Sequence, residues 1–202
     1  YGTINLIEVN AASTADVIWR FIKWAGWRVN RDAAQCILTG VITDTNVFST
    51  TNTTTAALEA AHELTRYGAT QQQIVRETMM NKSVETLRLW GLALERLHMN
   101  SEFGVLTTVI TQKDVEEIGV DETETKGLSN FLNAMTDVEA TLVLKETPEG
   151  HVKGSLRSID KNVQEIAKRY GGGGHIKAAG FLVENAHLKK EGEEWRLVTQ
   201  SK

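Results

Sequence analysis

The chain of 202 residues is 41% hydrophobic, 24% charged and 6% aromatic, a composition that buries a core and excludes disordered, collagen-like and repeat-biased classes. Its 22 Lys and Arg against 26 Asp and Glu leave a net charge of −4, so no uniformly basic surface grips long nucleic acid and a nucleotide partner must be held locally. The single cysteine, Cys36, has no internal disulfide partner, which fits a reducing, cytoplasmic compartment, and apolar runs such as Val105 to Ile110 fall far short of the roughly 20 residues of a membrane helix.

No initiating Met precedes Tyr1, and Thr3 to Val9 reads as a strand around Ile4, Leu6 and Ile7. Ser13-Thr14-Ala15-Asp16 is a capping signal for a helix whose Val17, Ile18, Phe21, Ile22 and Ala25 are expected to face a sheet. Ala33, Ala34, Ile37, Leu38 and Val41 write a second helix, which runs into the polar Thr43-Asp44-Thr45-Asn46, read as a loop. Asn52 or Thr53 is expected to cap a third helix, ended by Gly68, whose stripe of Ala56, Ala57, Ala60, Ala61 and Leu64 suits close packing on something flat, such as a sheet. From Gln71 to His98 the pattern stays helical with a polar break near Asn81 and Lys82, which reads as a connector between domains.

Beyond Asn100 the spacing predicts a strand over Val105 to Ile110, a short helix over Lys113 to Ile118, and a helix with Leu128, Phe131, Leu132 and Met135 on its apolar side. Two strands, Ala140 to Lys145 and Val152 to Ser158, flank the turn signal Thr147-Pro148-Glu149-Gly150, which holds the only proline. A helix from Asn162 to Tyr170 ends in four glycines, Gly171 to Gly174, followed by His175 and a strand through Phe181, Leu182 and Val183. The alternation predicts an α/β class in two domains.

Three features could carry chemistry. Consecutive glycines answer a need for unusual dihedrals or close backbone approach, which a helix cap and turn would explain as well as a ligand would. With His175, Lys177 and the small Ala178-Ala179 beside them, free backbone N–H groups there make a local anion site. Arg157-Ser158 ends a strand that leads back to this loop, and a guanidinium suits bidentate phosphate contact. Asp44 is the third, although a lone loop aspartate more often serves as a turn or cap residue. His62, His98, His151 and His187 lack metal-ligand spacing and are assigned to surfaces. Trp19, Trp24, Trp27 and Trp90 are assigned to core or interdomain packing, and the acidic Asp121-Glu122-Thr123-Glu124 to a solvated helix start.

The run Ser155-Leu156-Arg157-Ser158, Val163, Ile166-Ala167, then Tyr170-Gly171-Gly172-Gly173-Gly174-His175 with Ala178-Ala179-Gly180-Phe181 closely resembles the C-terminal substrate-binding domain of the DHH phosphoesterase family. Upstream, Ala12-Ser13-Thr14-Ala15 and the stretch from Leu38 to Phe48 resemble the last part of that family's N-terminal catalytic domain, so the likeness covers nearly the whole chain. Within the family, the layout is similar to the nanoRNA hydrolases that also remove phosphate from 3′-phosphoadenosine 5′-phosphate.

The resemblance implies the C-terminal part of a catalytic domain over residues 1–70, a helical connector over 71–100 and a substrate-binding domain over 101–202. It implies manganese-dependent hydrolysis in which two ions activate water. Asp44 matches the family's last metal-binding aspartate and would be both catalytic and metal-binding. Arg157, Ser158 and the backbone of Gly172, Gly173 and Gly174 would clamp phosphate, with His175 near the scissile group or terminal nucleotide and Lys177 a weaker contact. Hinge closure of the connector would bring clamp and metals together. Asn46 stands where the family usually has glycine, a change suited to a positive φ.

The family's Asp-x-Asp pair and Asp-His-His triplet occur nowhere in the 202 residues. One carboxylate cannot hold two divalent ions, so the chain by itself is expected to be inactive and to be the C-terminal part of a longer enzyme. Its expected partners are a short RNA or phosphorylated nucleotide and a second copy in a homodimer. Two alternatives stand: the same chemistry on linear or cyclic dinucleotides or polyphosphate, and a non-catalytic nucleic-acid-binding module, since a related domain occurs in alanyl-tRNA synthetases.

Overall fold

Ser13, Asn30 and Thr54 each stand one residue ahead of a helix and accept a backbone N–H from its first turn, which sets the starts of α1 (Thr14–Trp24), α2 (Arg31–Asp44) and α3 (Thr55–Arg66). Thr54 takes the cap expected of Asn52 or Thr53, and the Asn52 side chain is committed elsewhere, its Oδ1 accepting the Thr50 hydroxyl and its Nδ2 donating to the Ala12 carbonyl at 2.9 Å. The computed structural model describes residues 2–125, 127–135, 137–192 and 194–199, which divide into two units, Tyr1–Asn81 and Lys82–Lys202.

The first unit is helical. Trp19, Leu38, Ile42, Leu64 and Ile74 bury together with Ala34, Ala60 and Ala61, joining α1, α2, α3 and α4 (Gln71–Thr78). Gly40 lets α1 and α2 approach, since a Cβ there would lie 2.6 Å from that of Ala15. The small-residue stripe of α3 therefore packs on helices and not on the expected sheet. Thr3 to Val9 forms no strand, and Ile4, Leu6, Ile7 and Val9 are exposed. A strand needs a hydrogen-bonding neighbour, and the described residues of this unit hold none. The face of α1 also differs from the expectation. Asp16 and Trp19 point inward, whereas Ile18 and Phe21 are exposed, and Phe21 meets the exposed rings of Trp24 and Trp27 at 5.8 and 5.5 Å. Trp19 alone of those three tryptophans is core, its indole N–H donating to Glu63 at 2.8 Å.

Within the stretch read as a connector, α4 packs on α2 in the first unit, and α5 (Val84–Glu95), capped by Ser83, packs on β2 in the second. The second unit continues with β1 (His98–Asn100), β2 (Val105–Ile110), α6 (Gln112–Ile118), α7 (Leu128–Met135), β3 (Ala140–Glu146), β4 (Val152–Ser158), α8 (Gln164–Arg169), β5 (Gly173–His175), β6 (Ala178–Val183), β7 (Ala186–Glu191) and β8 (Glu194–Thr199). One sheet runs in the order β1-β2-β3-β4-β6-β5, with β2 and β3 parallel and the other pairs antiparallel; β7 and β8 form a separate hairpin. The short β1, the all-glycine start of β5 and the lysine-rich β7 carry no alternating apolar signal, which is why periodicity misses them.

The sheet is covered on both faces. Leu142, Leu156 and Phe181 pack with Val163, Ile166 and Ala167 around α8, while Val143 and Ile110 pack with Leu89, Leu128 and Leu132 of α5 and α7. Where α5 ends, Arg96 forks onto Asp114, Nη1 to Oδ2 at 2.5 Å and Nη2 to Oδ1 at 2.7 Å, and lies 5.0 Å from the centre of the Trp195 ring. Asp114 also completes the capping box that starts α6, accepting the Thr111 N–H at 2.8 Å.

Burial pushes the Asp114 carboxyl up, but bonds from Arg96 and from the Thr111 hydroxyl and backbone outweigh it and hold the group below its ordinary 3.8. A carboxyl depressed in the folded state adds stability above its unfolded value and loses it as pH falls through the lower folded one. We expect Asp114→Asn to cost about 2 kcal/mol at neutral pH and to flatten the acid limb of stability, measured by urea unfolding between about pH 7 and pH 2.

Candidate functional site

Helix α8 ends in a paired backbone cap: Gly171 N–H donates to Lys168 C=O at 3.1 Å and Gly172 N–H to Ala167 C=O at 2.9 Å, with Gly171 at φ 73°. Of the three glycine N–H groups expected to face a phosphate, that of Gly172 is thus consumed by the helix. The remaining glycines form β5, folded back on β6 with Gly173 opposite Gly180, Gly174 opposite Ala179 and His175 opposite Ala178. A Cβ on Gly172 would lie 2.1 Å from Gly180 O, and one on Gly174, at φ 136°, 2.6 Å from Ala178 O. Gly173 has open space around it.

Register carries the geometry across the sheet. Arg157 on β4 stands opposite Ala178 on β6, which stands opposite His175 on β5. Paired residues share a face, so Arg157 and His175 point to the same side, two strands or about 10 Å apart. The small Ala178, Gly180 and Gly173 make a low floor between them. Gly173, Gly174 and His175 are exposed.

Arg157 is half-buried and, among the described residues, bonded only to neutral groups, its Nε donating to Asn130 Oδ1 at 2.8 Å and Nη1 to Leu156 C=O at 2.9 Å. Burial holds its guanidinium below its ordinary value. A cation so placed, with no carboxylate beside it among the described residues, is receptive to an anion.

Two other predicted contacts lie elsewhere. Ser158 faces the opposite side, buried, its hydroxyl donating to Glu139 C=O at 3.0 Å and accepting Lys161 N–H at 2.6 Å, so it anchors the end of β4. Lys177 leans toward Asp160 at 3.6 Å in an exposed pair. Sequence reasoning missed Asn130, a polar residue within an apolar helix pattern, and the cleft beside Arg157. That cleft, of about 470 Å³, is lined by Asn130, Lys145, Lys153 and Ser155 among others. His62 is exposed as expected, whereas His98, His151 and His187 are half-buried.

In the first unit, Asp44 is the last residue of α2 and is exposed, and Thr43 is helical too, so only Thr45 and Asn46 of the predicted loop leave the helix. Asn46, Val47 and Phe48 follow at φ 45°, 57° and 62°. The positive φ expected of Asn46 is present, but a β-branched valine there is strained, as backbone often is near functional sites. Thr45 holds the turn: its buried hydroxyl donates to Val41 C=O at 2.7 Å and accepts Phe48 N–H at 3.1 Å. At the C-terminal end of α2 the helix dipole disfavours a carboxylate, and a cation beside Asp44 would relieve that. Among the described residues, however, no three His, Cys, Asp or Glu side chains cluster to hold a metal. The residues of this chain therefore do not fit a two-ion centre by themselves.

Residues 102–194 match the DHHA1 domain. A protein of Streptococcus mutans named probable bifunctional oligoribonuclease and PAP phosphatase NrnA is 25% identical over 95% of this chain and 62% of its own length. The NrnA of Thermus thermophilus, named bifunctional oligoribonuclease and PAP phosphatase, is 30% identical over 93% of this chain and 56% of its own. The cyclic-di-AMP phosphodiesterase PdeA of Listeria monocytogenes is 30% identical over 90% of this chain and 27% of its own. Among solved structures, an exopolyphosphatase-related protein of Bacteroides fragilis superposes with a TM-score of 0.82 at 25% identity, covering 89% of this chain and 54% of that one. The chain thus spans 62% or less of the curated relatives just described.

The glycine geometry yields a contrast. Gly172→Ala, driven against backbone, is expected to cost about 2–3 kcal/mol, whereas Gly173→Ala changes stability by less than about 1 kcal/mol, both read by urea unfolding.

Proposed function

We propose that the chain belongs to the DHH family, whose DHHA1 domain matches residues 102–194, and that it is the substrate-holding part of a phosphoesterase acting on short oligoribonucleotides and on 3′-phosphoadenosine 5′-phosphate. The observation that carries this is Arg157, a half-buried cation with neutral partners, in register with an exposed His175 across a floor of Ala178, Gly180 and Gly173. Its guanidinium takes two oxygens of a phosphate, the absent side chains let the sugar–phosphate backbone come close, and His175 supplies a second donor from the far side. The names of the NrnA relatives support the substrate class.

Asp44, at the unfavourable end of the α2 dipole, would contribute one carboxylate to a manganese site whose other donors are not among the described residues. The chain alone then binds nucleotide without turnover, its residues orienting the phosphate and nothing more. The name of the Listeria relative supports a second reading, the same chemistry on dinucleotides, which a panel of oligoribonucleotides, dinucleotides and polyphosphate separates.

Arg157→Ala should weaken binding of 3′-phosphoadenosine 5′-phosphate by roughly tenfold or more, the scale of a lost charge-assisted bond, in calorimetric titration of this chain. In a full-length enzyme containing the chain, Asp44→Ala should abolish manganese-dependent hydrolysis while leaving substrate binding. An active Asp44→Ala enzyme would overturn the assignment.

A further inference from the structure

Strand β4 carries more positive charge on its ligand-facing side than one phosphate requires. Its alternation puts Lys153, Ser155 and Arg157 on one face, and the β3 register sets Lys145 directly opposite Lys153. Here the pair opens into the same cleft of about 470 Å³ that Arg157 and Asn130 line, so three cations share one concave surface of a protein whose net charge is −4. Glu149, at the turn beyond β3, is the one carboxylate among the described lining residues. It is held below its ordinary value by Thr147 and its own backbone, with lesser help from His151 and Lys145.

Resting on the phosphate role of Arg157 proposed above, we propose that this cleft is a second anion subsite, which takes the phosphodiester of a neighbouring nucleotide in a short single strand. At about 3.4 Å per residue, Lys153 lies roughly 13 Å along β4 from Arg157, so a phosphate seated at Arg157 does not reach it. A ligand of several nucleotides reaches both, and one whose phosphates sit on a single sugar engages the Arg157 end alone. The subsite would thereby favour oligonucleotides over a mononucleotide without reading sequence, since its contacts are to phosphate.

The test compares two ligands on this chain, a short oligoadenylate of about five nucleotides and 3′-phosphoadenosine 5′-phosphate, titrated across salt concentrations. Lys153 is exposed, so Lys153→Gln and Lys153→Glu should fold as the parent does, checked by thermal unfolding. Lys153→Gln should weaken the oligoadenylate several-fold and lower the steepness of its log–log salt dependence by about 0.7, the value of one single-strand phosphate contact. Lys153→Glu should weaken it further, and neither should alter binding of 3′-phosphoadenosine 5′-phosphate. Unchanged oligoadenylate affinity and salt slope in both variants, with Arg157→Ala still weakening both ligands, would overturn the subsite alone. Equal weakening of both ligands by Lys153→Gln would overturn the separation of the two phosphates. Failure of the parent chain to bind either ligand, or indifference of both to Arg157→Ala, would overturn the underlying phosphate role as well.

Discussion

The register of β4, β6 and β5 in the second unit depends on where one aromatic residue lies. Phe181 stacks on Tyr170 with centroids 4.6 Å apart and occupies the space a side chain at position 154 would need, since a Cβ there would fall 2.2 Å from the ring. Its backbone and Cβ likewise exclude a side chain at position 172. Phe181 thus demands glycine on β4 through its ring and glycine just past α8 through its Cα and Cβ, which brings strand, helix end and hairpin together. Arg157 and His175 are in register because that packing leaves β4, β6 and β5 one relative position. Such close packing tolerates little volume change.

Charge is distributed to the same end. The molecule is acidic overall, so it repels long polyanions, yet the exposed side of β3 and β4 collects Lys145, Lys153 and Arg157. The contrast with Arg96 shows how placement sets the role of an arginine. Arg96 is spent on Asp114 and Trp195, and the Asp114 bond raises its guanidinium above the ordinary value. Among the described residues Arg157 bonds only to an amide and a carbonyl, and burial lowers it. The first stabilises the fold; the second has charge left for a ligand.

The first unit concentrates strain where the second concentrates charge. Three successive residues in left-handed conformation after Asp44 are held by Thr45, Thr50 and Asn52, each bonded to backbone of the turn or of the segment before α1. So many side-chain anchors on one short turn keep the backbone around Asp44 in one shape. That suits a carboxylate whose position matters more than its own local energy.

Much of this was legible in order along the chain. Capping residues, helical spacing and the Pro-Gly turn located α1, α2, β2, β3 and β4 because those signals are local, and the glycine run with its neighbours marked the family. Other features were not legible. Trp24 and Phe21 look like core residues until the rotation of α1 exposes them, and Thr3 to Val9 looks like a strand until its lack of a partner leaves it unpaired. Ser158 and Arg157 are adjacent in sequence, yet the pleat sends one into a buried anchor and the other to the face that carries His175. The sequence by itself determined residue chemistry, local periodicity and the likeness to the DHHA1 domain. Only the tertiary structure decided which cations stand together and which glycines answer to packing, because strand register and the close contact of Phe181 with distant backbone join residues that no local spacing relates.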